Sequence, residues 1–138
     1  MRKSIYIDGF SHGGNPVPAA CVLGGLLATG AVFGTIRETG KVPESEEEQC
    51  GLMFDNLRRI LSQAGAGWED VIKMTFYLRP DASRALLNRH WTEVFPDEDS
   101  RPARHVIVSS TLPASQFMQV AALAVVPAGG YQDSGDNA

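Results

Sequence analysis

The longest regular pattern of apolar and polar positions in the chain is helical. From Glu46 onward, Cys50, Met53, Leu57, Ile60, Leu61 and Ala64 recur at spacings of three, four, three, one and three, which is one face of a 3.6-residue period. Ser45-Glu46-Glu47-Glu48 forms a capping box at the start, and its three acids complement the positive end of the helix dipole. Gly65 and Gly67 end the helix. A second helix is predicted over 82–95, capped by Asp81, with Ala85, Leu87, Asn88, Trp91, Val94 and Phe95 as its stripe. Asn88 is the one polar member of that row. Its amide either bonds a neighbouring backbone group or meets a ligand.

The other regular stretches alternate with a period of two. In Val71–Leu78, Ile72, Met74, Phe76 and Leu78 point one way and Val71, Lys73, Thr75 and Tyr77 the other, so one face packs on helices and the other meets solvent or a partner. Further strands are predicted at 4–7, 21–23, 26–33, 104–109 and 117–126. Gly24-Gly25 makes the hairpin turn between the second and third, because both central residues of such a turn need positive φ. Residues 11–18 hold two glycines and two prolines and read as loop. The order β-ββ-α-β-α-ββ describes an α+β domain, a mixed sheet with two helices on one face. The domain spans 1–128, and 129–138 is expected to be a flexible polar tail.

Composition narrows the function classes. The 138 residues carry 12 Lys+Arg against 16 Asp+Glu, a net charge of −4, with 43% hydrophobic residues. That balance fits a soluble protein and argues against a nucleic-acid partner. No apolar run approaches the ~20 residues that span a bilayer, and Asp8 interrupts the start, so no membrane association is expected and the cytoplasm is the default compartment. Cys21 and Cys50 stand 29 positions apart without a CxxC pattern or a nearby histidine pair, so neither a metal site nor a redox motif is expected of them.

Candidate chemistry is sparse, because the chain has no Ser-His-Asp pattern and no nucleotide loop, and His12, His90 and His105 are scattered. Alternation places Arg104, Val106 and Val108 on one face of a strand. A guanidinium flanked by valines wants an anion, which is either a ligand carboxylate held by two parallel N–H···O bonds or a structural partner among the helix acids. On the last strand Gln119 is the one polar member of the row Phe117, Gln119, Ala121, Leu123 and Val125, and its amide needs a partner in the fold or in a ligand.

With that element order, the end of the third strand at Thr29-Gly30, Asn88 on the second helix, Pro102-Ala103-Arg104 before a strand and the closing Ala122-Leu123-Ala124-Val125 resemble the Rid (YjgF) family over about residues 14–126. The resemblance implies a chorismate-mutase-like fold and a homotrimer with three intersubunit clefts, its core formed by the open sheet faces. It further implies a cofactor-free deaminase that hydrolyses an enamine or imine acid to an oxo acid and ammonia. In that reading Arg104 grips the substrate carboxylate, Thr29 and Asn88 offer hydrogen bonds, and Gln119 positions water or the leaving nitrogen. The family's cleft tyrosine is Val17 in this chain, its cysteine two after the arginine is Val106, and its acid on the final strand is Gln119. Val17 and Val106 then form an apolar wall. The blocks around Gly9-Phe10-Ser11-His12, Asn15-Pro16-Val17-Pro18, Val42-Pro43-Glu44-Ser45 and Ser100-Arg101-Pro102 are similar to the branch holding 2-aminomuconate deaminases, and in this chain a second substrate carboxylate is expected to meet Arg101 or His12. The alternative is a non-catalytic protein of the same fold that binds a small carboxylate metabolite.

Overall fold

The computed structural model describes residues 1–129. Strands β1 (Lys3–Ile5), β2 (Ala20–Leu23), β3 (Leu26–Thr29), β4 (Val71–Leu78), β5 (Ala103–Val108) and β6 (Met118–Val125) accompany helices α1 (Glu46–Gln63) and α2 (Arg84–Val94). The strands form one sheet in the order β1-β2-β3-β6-β4-β5. Every pair is antiparallel except β4 with β5, which α2 connects. Gly24 and Gly25 take φ of 59° and 82°, as the tight β2–β3 turn requires. Of the expected polar tail, residues 130–138 lie outside the described residues.

Both helices cover the same face. Phe76 of β4 meets Phe54 of α1 at 5.9 Å and Trp91 of α2 at 6.0 Å, and the α1 stripe from Cys50 to Ala64 is buried against it. The Ser45 hydroxyl accepts from the Glu48 amide, so the expected cap is present. Two polar side chains of α1 are buried as well. Gln49 donates to the carbonyls of Pro43 (2.8 Å) and Ser115 (2.9 Å) and accepts from the amide of Phe117 (2.8 Å). Asn56 donates to the Phe33 carbonyl and to Thr35 Oγ1. The uncovered face carries Leu23, Leu26 and Val125, side by side across β2, β3 and β6 and 51%, 51% and 44% exposed.

Four local expectations are corrected. β3 stops at Thr29 instead of running to 33, because its register on β6 slips by one residue: Ala28 faces Leu123, whereas Val32 bridges Val120. The Thr29 hydroxyl fills the gap by accepting from the Ala122 amide at 2.9 Å. In β4 a bulge between Val71 and Lys73 reverses the phase at its start, so Val71 is buried and Ile72 is exposed. α2 begins at Arg84 under a Ser83 cap, since Asp81 is held by two bonds from Arg79. Its buried stripe is Leu87, Trp91 and Phe95, and Ala85 and Asn88 lie outside it on the exposed side.

Cys50 is fully buried, and burial first, then the carboxylate of Glu46, push its thiol up to about 12 from 9.0. The unfolded chain therefore ionises this thiol before the folded one does, and folding stability is expected to fall as pH rises from about 9 towards 12. Urea titrations of the wild type and Cys50→Ala across that window measure the effect; equal slopes in both would refute it. Cys21, half-buried on β2, is the thiol expected to react with a disulfide reagent at pH 8 before unfolding.

Candidate functional site

Arg104 is the second residue of β5. Its register partner is Met74, which is fully buried, so both side chains leave the sheet on the helix-covered face. The guanidinium lies 5.1 Å from the centre of the Trp91 ring, and Val106, opposite Phe76, follows on the same face. The expected choice between a ligand and a helix acid is narrowed here, because no carboxylate pairs with Arg104 among the described residues and its buried Nη1 has no hydrogen-bond partner. Burial first and then the neighbouring Arg84 lower its pKa below the ordinary arginine value, yet a guanidinium stays charged. A cation with an unsatisfied N–H, resting on an aromatic ring, is a ready seat for an anion.

Asn88 lies on the exposed side of α2, about one turn from Trp91. Residues 84, 88 and 91 fall on one line of α2, separated by about one and two turns, so Arg84 and Asn88 lie up the helix from Trp91. The Asn88 amide makes no hydrogen bond among the described residues, so the backbone-bonding role open to it is not the one it has. Arg101, exposed in the loop before β5, donates through Nε to the Phe95 carbonyl at 2.9 Å.

The remaining candidates stand elsewhere. Thr29 occupies the same row of the sheet as Arg104, through Ala122 and Met74, but three strand spacings or about 14 Å away. Its hydroxyl donates to the Gly30 carbonyl (2.8 Å) and accepts from Ala122. Val17 joins Thr29, Pro18, Cys21 and Gly30 around a shallow groove of about 280 Å³. His12 backs this corner, its Nε2 bonded to the Ala31 carbonyl at 2.7 Å. Gln119 pairs in register with Tyr77, on the uncovered face. Its Nε2 donates to Gln116 Oε1 at 2.7 Å, leaving its own Oε1 as an acceptor. Arg104 and Gln119 thus project from opposite faces of one sheet, and a single chain does not bring them together. Trp91, Arg84 and Gln116 were absent from the candidates; the spacing 84-88-91 was the available signal for the first two.

A six-stranded mixed sheet with one face under two helices and the other bare, and an unpaired arginine at its parallel edge, defines a two-layer α+β domain of the chorismate-mutase-like kind. Residues 15–126 match the family described as Endoribonuclease L-PSP. A RutC family protein of Aquifex aeolicus (strain VF5) is 30% identical over 110 residues, 80% of this chain and 88% of its own. The Escherichia coli (strain K12) protein named “Putative reactive intermediate deaminase TdcF” is 26% identical over 126 residues, covering 91% and 98% of the two chains. Among solved structures, a Rid family protein, YyfA from Yersinia pestis, superposes with a TM-score of 0.81 at 21% identity over 91% of this chain and all of its own (100%). E. coli TdcF with bound serine superposes at 0.79 with 24% identity, covering 89% and 98%. The chain belongs to the Endoribonuclease L-PSP family, which is the Rid (YjgF) family of the sequence comparison above.

Proposed function

We propose that the protein is a deaminase of enamine or imine acids. The observation that carries this reading is the unpaired guanidinium of Arg104, which has the fork geometry for a carboxylate and no carboxylate of its own. The name of the E. coli relative, a reactive intermediate deaminase, supports the reaction class. The substrate carboxylate sits on Arg104, with Asn88 beside it. An enamine first tautomerises to the imine; water then adds across C=N, and the tetrahedral carbinolamine expels ammonia to leave the oxo acid. Gln119 does not ionise and so cannot shuttle a proton, but its Oε1 can accept from the attacking water or from the leaving nitrogen.

Because Arg104 and Gln119 leave opposite faces, a site using both takes them from two copies. The exposed row Leu23, Leu26 and Val125 offers an apolar surface for that contact, and a homotrimer with intersubunit clefts is the assembly proposed. Val17, Thr29 and Val106 then line such a cleft. The substrate proposed is 2-aminomuconate, a conjugated enamine that needs less help from a protein base. The test is ammonia release from freshly generated 2-aminomuconate, with 2-iminopropionate as comparison and sedimentation equilibrium for the assembly. Release from the dienoic substrate is the expected result. Release from 2-iminopropionate alone would move the substrate to small imino acids, and a monomer would refute the shared site. The lack of an ionisable group at Gln119 favours one rival, a protein that binds a small carboxylate metabolite without turnover; saturable binding without ammonia release would establish it.

A further inference from the structure

We propose that Arg84 is a second anion-holding residue beside Arg104, so that the site selects a ligand with two anionic groups joined by a short chain. This rests on the reading of Arg104 as a carboxylate seat and names what sets its specificity. Arg37, Arg58, Arg59, Arg79, Arg89 and Arg101 each hold a protein oxygen. Arg2, at the exposed start of the chain, and Arg84 and Arg104 hold none among the described residues, and of these Arg84 and Arg104 are neighbours.

Arg84 has no partner among the described residues and stands where a cation is not favoured. It is the first residue of α2, whose first turn contains no acid, whereas α1 opens on Glu46, Glu47 and Glu48. A cation there meets the positive end of the helix dipole, which disfavours it. The carboxylates that approach α2 bond other groups: Glu46 accepts from the amide of the cap residue Ser83 at 2.7 Å, offsetting part of the dipole but making no ion pair with Arg84, and Glu47 pairs with Arg89. Arg84 also stands on the helical line of Asn88 and Trp91, and Trp91 carries the Arg104 guanidinium. Two neighbouring unpaired guanidinium groups repel each other until an anion lies on both. Arg101, the alternative second anchor, already donates to the Phe95 carbonyl.

Calorimetric titration of the full chain with adipate and with hexanoate, a six-carbon diacid and its monoacid counterpart, tests the assignment. A charge-assisted bond at the second carboxylate predicts that the wild type binds adipate about tenfold or more tightly than hexanoate. In Arg84→Gln the ratio is expected to fall to about one, and in Arg101→Gln to persist. A ratio that survives Arg84→Gln overturns the role of Arg84 while the carboxylate seat stands. Hexanoate affinity unchanged in Arg104→Ala overturns the seat itself, and a wild type that binds neither acid overturns both.

Discussion

Replacing Arg104 with alanine is expected to lower kcat/KM for an enamine or imine acid by roughly thirtyfold to a few thousandfold. The range follows from the ~2–5 kcal/mol typical of a partly desolvated, charge-assisted pair when one partner is removed. The fold has little reason to suffer, since the Arg104 side chain forms no hydrogen bond or ion pair among the described residues and gives up only its contact with the Trp91 ring. Relief of its burial and of the repulsion from Arg84 works towards stability. Loss of activity with an unchanged or raised unfolding midpoint is therefore the expected combination. Arg104→Lys should recover only part of the activity, because an ammonium is a point charge and cannot present two parallel N–H donors. Steady-state kinetics with urea unfolding on the same preparations decides the matter, and an alanine variant with wild-type kcat/KM would end the deaminase reading.

The second large effect is structural. Gln49 is 2% exposed and joins three separate pieces of chain: the Pro43 carbonyl before α1, and the Ser115 carbonyl and Phe117 amide at the entry to β6. Gln49→Leu keeps a similar volume but leaves the Pro43 carbonyl unpaired in the core, at ~1–3 kcal/mol, and the part-buried Ser115 carbonyl and Phe117 amide unpaired, at about 1 kcal/mol each, for a total loss of about 3–5 kcal/mol. Gly34 packs so closely on the Gln49 backbone carbonyl that a Cβ there would overlap it, so the surrounding segment has no room to relax around the change. A loss below about 1 kcal/mol in urea unfolding would show that water or a rearranged backbone satisfies those groups.

Much of this architecture was legible because single elements carry their own periodicity. The α1 stripe and its Ser45 cap needed only spacing and a hydroxyl, and the Gly24-Gly25 turn needed only the demand for positive φ. Gln49 and Asn56 were missed although the signal existed: Gln49, Met53, Asn56 and Ile60 also follow a four, three, four spacing, so two amides share the buried side with the hydrophobic residues. Asp81 was a reasonable helix cap in isolation, but Arg79 competes for its carboxylate and leaves Ser83 to do the capping. The limits were sharper at the site. Alternation correctly grouped Arg104 with Val106, and Gln119 with Ala121 and Leu123, but it says nothing about which face of the sheet each group takes. That depends on register, with Arg104 opposite Met74 and Gln119 opposite Tyr77, which is set by long-range pairing. Asn88 looked anomalous only while it was counted in the buried row; on the exposed side of α2 an amide is unremarkable in itself and becomes of interest through its neighbours.

The crossover from β4 through α2 to β5 supplies Arg84, Trp91 and Arg104 from within residues 71–108, one contiguous stretch. Contacts this short in sequence separation close small loops, so the anion seat can assemble while β1, β2 and β3 are still unpaired. The groove around Val17 and Thr29, by contrast, waits for the N-terminal strands to find β6. The two halves of the proposed site therefore come from separate stretches of the chain, and substitution within the crossover alone can change the charge offered to a ligand without touching the N-terminal strands.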